Sequence, residues 1–72
     1  MNMKELRLRS GKRAEEIAVE VGVSVSTVRN WDQLVTAPRM TASGFKKLMD
    51  VYGCSFDELL EAEQATAQES DR

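Results

Sequence analysis

Histidine is missing from the chain and cysteine occurs once, as Cys54. A lone cysteine cannot close an intramolecular disulfide, and without histidine a structural zinc site has almost no ligands. Neither metal nor cofactor is expected. There is also no glycine-rich phosphate loop and no paired-carboxylate site in a pocket-sized core, so nothing supplies a catalytic constellation and no enzyme is expected. Proline occurs once, at Pro38, and the aromatics are one tryptophan, one tyrosine and two phenylalanines. No run approaches the roughly 18 apolar residues of a membrane span. The start, MNMKELRLRSG, lacks a signal peptide's apolar block, so the expected setting is the cytoplasm or nucleoid, with no membrane partner.

What is present favours helix: Glu, Lys, Arg, Ala, Leu and Met are plentiful. Seventy-two residues make one domain near the lower limit of independent folding, since a domain of about 60 residues buries only roughly 60% of its unfolded surface. The net charge of −2 conceals a division. Residues 1–49 hold nine Lys/Arg against five acids, a net of +4; residues 50–72 hold one Arg against seven acids, a net of −6. The basic part contains the stretch around which the chain is organised, AEEIAVEVGVSVSTVRNWDQ over 14–33.

That stretch reads as two short helices and a glycine turn, a helix-turn-helix pattern whose second helix is the candidate reader of a DNA major groove. Before it, a first helix is expected over Met3 to Ser10, with Met3 and Leu6 inward, Gly11 after it, and Leu8 either in the stripe or on the surface. Arg7, Arg9, Lys12 and Arg13 flank its end, as a solvated face or as phosphate contacts, with Lys12 and Arg13 the better candidates for phosphate. The second helix covers Ala14 to Val21. Its start carries no capping side chain, but Glu15 and Glu16 suit the helix dipole. Gly22 follows in the left-handed position, and Val23 tucks beneath the turn.

Ser24 caps the third helix, which ends near Gln33. With Val28 and Trp31 facing the core, a 100° step puts Ser26, Arg29, Asn30 and Gln33 outward. Val25, at the edge of that face, suits a thymine methyl; Arg29 suits guanine O6/N7 and Asn30 suits adenine N6/N7. A polar outer face is also what any surface helix shows. Leu34 to Met40 is a loop, with Arg39 a possible backbone contact. The fourth helix runs from Ala42, capped by Thr41, to Tyr52; Phe45, Leu48, Met49 and Tyr52 form its stripe and Gly53 ends it. Gly44 within it suggests close packing. The fifth opens with the capping box Ser55-Phe56-Asp57-Glu58, and Phe56, Leu59 and Leu60 make its apolar face. Cys54 is expected to be a small residue in the corner between the fourth and fifth helices. Residues 1–62 are therefore read as the DNA-binding domain and 63–72 as a polar, disordered tail.

Together, Leu6-Arg7, Glu15-Glu16-Ile17-Ala18, Val21-Gly22-Val23-Ser24, Ser26-Thr27-Val28, Trp31-Asp32, Pro38 and the run from Gly53 to Leu60 resemble the phage-repressor-like helix-turn-helix family of Cro or Xre type, over residues 3–62. The resemblance implies an all-α, compact five-helix, lambda-repressor-like domain that regulates transcription. Its base-contacting positions fall on Val25, Ser26 and Asn30, with Arg29 and Gln33 at base or phosphate positions, Arg39 near the backbone or minor groove, and Arg7 paired structurally with Asp32. Arg13, Ser24 and Thr27 complete the implied DNA-facing set. The family's Thr-Gln before the second helix is Arg13-Ala14 here, and its loop glycine is Leu34, so that turn is expected to take another form. The loop before the fourth helix is also about two residues longer than usual.

The leading expectation is a sequence-specific regulator, a repressor, binding double-stranded DNA as a homodimer through Phe56, Leu59 and Leu60. The alternative is an adaptor or antitoxin that contacts a protein partner such as a toxin through its acidic end.

Overall fold

The computed structural model describes the backbone of residues 1–70 and the side chains of residues 1–65; Asp71 and Arg72 lie outside the described residues. Five helices and no strand form within it: α1 (Met3–Ser10), α2 (Ala14–Val21), α3 (Val25–Asp32), α4 (Ala42–Tyr52) and α5 (Phe56–Ser70). No helix among the described residues is long and apolar enough to cross a membrane.

Each helix start has a local cause. Asn2 caps α1 reciprocally with Glu5: each side chain accepts from the other's backbone N–H at 2.9 Å. The spacing of Asn2 and Glu5 carries the signature of this box in the sequence, almost at the first residue. α2 has only half of one. The Arg13 guanidinium has no acceptor to offer, but the Arg13 N–H donates to Glu16 Oε1 at 2.9 Å. Thr41 accepts from the Gly44 N–H at 3.3 Å. At α5, Ser55 and Glu58 form the full box at 2.9 and 3.2 Å.

The end of α3 departs from expectation. Leu34 takes φ +60°, the same left-handed form that a glycine would take, and the turn closes as a Schellman motif. The Val35 N–H donates to the Asn30 carbonyl at 2.9 Å and the Leu34 N–H to that of Trp31 at 3.2 Å. A left-handed leucine costs about 1–2 kcal/mol, and those two hydrogen bonds help hold it.

Met3, Leu6, Ile17, Val28, Trp31, Leu48, Tyr52, Leu59 and Ala62 form the core, drawn from all five helices. α3 packs chiefly against α2 and also touches α1, while α5 lies against α1. α5 departs from its expected stripe, because Leu59 is buried at 1% exposure whereas Phe56 and Leu60 stay 57% and 39% exposed. The two exposed side chains join Phe45 around a shallow concavity of about 240 Å³. Leu8, left open by its spacing, is on the surface. α5 also continues to Ser70, eight residues past the expected limit at Ala62. Alanine, glutamine and glutamate propagate helix well without an apolar stripe.

α1 and α5 are further joined by a forked pair that spacing did not suggest: Arg9 donates to both carboxylate oxygens of Glu58, at 2.5 and 3.1 Å. These bonds, followed by the Ser55 N–H, hold the Glu58 carboxyl down to about 2 from its ordinary 4.5. A depressed carboxylate stabilises the fold fully above its unfolded pKa and loses that contribution as pH falls through its folded pKa. Unfolding free energy is therefore expected to fall between about pH 4.5 and 2. Arg9→Ala, which spares the cap, should flatten that limb in urea titrations at stepped pH; an unchanged slope would count against the pair.

Gly44 gives a second test. A Cβ there would lie 2.8 Å from Met40 Cβ. Helix propensity alone favours Gly44→Ala by about 1 kcal/mol, whereas overpacking costs about 1–3 kcal/mol. The substitution is expected to lower the melting temperature, and a rise would mean that the loop yields.

Candidate nucleic-acid interface

α3 is fixed at both ends before its outer face is considered. At its start Ser24 Oγ accepts from the Thr27 N–H at 3.2 Å and lies 2.9 Å from Thr27 Oγ1. Its last residue, Asp32, accepts from Arg7 Nε at 2.8 Å. The Arg7 and Asp32 side chains are only 17% and 10% exposed, and Arg7 also donates to the Lys12 carbonyl at 3.3 Å. One residue of α1 thus ties down the end of α3 and the segment that leads into α2. Tyr52 of α4 shares this environment: burial raises its phenol pKa, and the Asp32 charge adds to the shift. Among the described residues, Asp32 Oδ1 and Tyr52 Oη are buried without hydrogen-bond partners.

The positions assigned to DNA from sequence divide into groups. Ser26 and Arg29 are exposed on α3, Gln33 is exposed at its C-cap, and Asn30 is half-buried beside them. Val25 is a correction: it is half-buried and packs against the core. The preceding turn brings the start of α3 close enough to the core to cover most of a valine, so only part of it is presented outward. Ser24 and Thr27 spend their hydroxyls on the cap. Arg13 is exposed at the start of α2, and Arg39 is exposed in the loop at 33–41, outside the helix. Of the implied dimer residues, Leu59 is in the core, which leaves Phe56 and Leu60 accessible.

Three acids of α2 meet these cations, a feature not expected from the sequence. Glu15 Oε1 is 3.7 Å from Arg29 Nη2, Glu16 Oε1 is 3.6 Å from Arg13 Nε, and Glu20 Oε1 is 3.1 Å from Lys12 Nζ. Arg13 and Glu16 stand at helical i,i+3 spacing and were open to detection. The other two pairs depend on how α2 sits against α3 and the α1–α2 turn. The Arg13 backbone hydrogen bond, more than any charge, lowers the Glu16 pKa. Cys54 is buried, and burial raises its thiol pKa, which leaves it a packing residue at the α4–α5 corner.

Comparison with family profiles, curated proteins and solved structures finds no match to this chain. What the site can do is therefore read from its own geometry.

That geometry makes Arg7–Asp32 a structural tie. Removing one member of a mostly buried pair strands the other charge, at a cost of about 3–5 kcal/mol when burial is complete. With the residual exposure here, Arg7→Met is expected to cost about 2–3 kcal/mol in urea unfolding. Arg7→Met combined with Asp32→Leu should recover most of that loss. A double variant as unstable as the single one would show that the pair does more than neutralise itself.

Proposed function

We propose that the protein is a sequence-specific DNA-binding regulator, a repressor of the helix-turn-helix class, with α2 as support and α3 as reader. The observation that carries this reading is the outer face of α3. Ser26, Arg29 and Asn30 stand on one short helix, with Gln33 at its C-cap, and the two ends of that helix are held by Ser24 and by the Arg7–Asp32 tie. Base readout needs such a rigid helix with short or forked polar side chains, because bidentate contacts tolerate little displacement. Arg29 supplies the guanine contact and Asn30 the adenine contact. Lys12, Arg13 and Arg39 would meet phosphates in this reading, contacts that orient the domain but carry no sequence information.

A homodimer suits this reading. Phe56 and Leu60, with Phe45, leave an apolar surface on the α4–α5 side, and a two-fold dimer sets two readers one helical turn apart. The same surface favours the second reading, an adaptor or antitoxin that covers Phe45, Phe56 and Leu60 with a protein partner.

Selection from a pool of random duplexes separates the two. The DNA reading expects enrichment of a palindromic site with half-sites about 10–10.5 bp apart. Arg29→Ala with Asn30→Ala should abolish the enrichment while leaving the melting temperature nearly unchanged, since both side chains lie outside the core. No enriched sequence at low salt, or the same enrichment with the double variant, would contradict the reading.

A further inference from the structure

We propose that the carboxylates of α2 are an internal counter-ion set for the DNA-facing cations, and that they hold down indiscriminate attachment to nucleic acid. The proposal rests on the DNA-binding reading and adds to it the role of Glu15, Glu16 and Glu20. These acids lie with Val19, itself 83% exposed, along one open face of α2. Each is paired with a different cation: Arg29, Arg13 and Lys12 respectively, at 3.7, 3.6 and 3.1 Å. Those cations are three of the side chains assigned to base or phosphate contact.

The pairs are loose enough to exchange. Their side chains are substantially solvated, and solvated ion pairs hold weakly, so a phosphate or a guanine edge can take the cation. The exchange has a consequence for salt. A cation drawn from solvent by duplex DNA lets condensed counterions escape. A cation drawn from a protein carboxylate leaves that carboxylate beside a polyanion, where it takes up a counterion of its own. Net ion release is then smaller than the number of phosphates contacted, and affinity for any duplex is lowered. The penalty falls on every duplex alike and leaves the affinity ratio unchanged, but attachment through phosphates alone is weakened to the point of release, while a correct site keeps its hold through base edges.

Glu15 carries the most specific part of the role because its partner is the proposed guanine reader. It is a positioning residue, keeping the Arg29 guanidinium against the α2 side of the face until a base edge replaces it.

The test measures binding to a short mixed-sequence duplex by fluorescence anisotropy across a salt series. The proteins are wild type, Glu15→Gln, the triple variant Glu15→Gln/Glu16→Gln/Glu20→Gln, and Arg29→Ala with and without Glu15→Gln. Glutamine at 16 can still accept from the Arg13 N–H, so the start of α2 is preserved. The triple variant should bind several-fold more tightly at low salt, with a log affinity–log salt slope steeper by about 1 per freed cation. Glu15→Gln should strengthen binding in the wild-type background and clearly less beside Arg29→Ala, where only the repulsion between the Glu15 carboxylate and the duplex remains to be removed. Should the triple variant not fold, the Glu15→Gln comparison in the two backgrounds decides alone. Wild-type binding with unchanged affinity and slope in the Gln variants overturns the counter-ion role but leaves the DNA reading intact. An equal Glu15→Gln gain in both backgrounds does the same, since it reduces the effect to net charge. If neither wild type nor variants bind duplex at low salt, the DNA reading itself fails.

Discussion

The Arg7–Asp32 pair sits where three segments meet, and most of the architecture depends on it. A guanidinium on α1 fastens the last residue of α3 and, through the Lys12 carbonyl, the segment of chain that enters α2. Both charges are largely withdrawn from water, so their loss cannot be made good by solvent. Without this tie, α3 would rest on Val28, Trp31 and the half-buried Val25, which fix its depth in the core more firmly than its rotation. Rotation decides which residues face outward. The buried Tyr52 phenol and the unpartnered Asp32 oxygen raise the demand further, since each has lost its hydration at this same point.

Around that tie the fold follows a simple division of labour. Capping residues set where helices begin, left-handed residues set where most of them end, and among the described residues twelve buried hydrophobics from all five helices, with Cys54 at the α4–α5 corner, hold them together. The surface is then free for charge. Basic residues stand on α1, in the α1–α2 turn, on α3, in the loop after it and on α4, and α2, which has none, meets three of them with its acids. The net charge of +4 over residues 1–49 thus overstates the field that an approaching polyanion would meet. At the α4–α5 surface Phe56 and Leu60 remain exposed beside the half-buried Phe45.

Helix boundaries were largely legible in the residues because their signals are local. Gly11, Gly22 and Gly53 end helices at positive φ, and Ser24, Thr41 and Ser55 start them with side-chain hydrogen bonds. Three features were not legible, each for a physical reason. Leu34 was expected to break the loop pattern, but the Schellman hydrogen bonds hold a leucine in a conformation suited to glycine. Phe56 and Leu60 fit an apolar stripe, but the core had room only for Leu59 and Ala62. Glu15–Arg29 and Lys12–Glu20 join separate elements, so no single helical period announces them. Arg7 and Asp32, 25 residues apart, were paired only by resemblance to a known family pattern, never by spacing.

On the proposed reading, precision would come from a buried tie and restraint from surface acids. Whether the outer face of α3 is where the protein meets DNA is tested most directly by amide chemical-shift mapping of the folded chain, titrated with duplex DNA carrying the selected site. The predicted result is a continuous set of shifts over residues 24–33 that extends to Lys12, Arg13 and Glu15. Shifts confined to Phe45, Phe56 and Leu60, or none at saturating duplex, would contradict it.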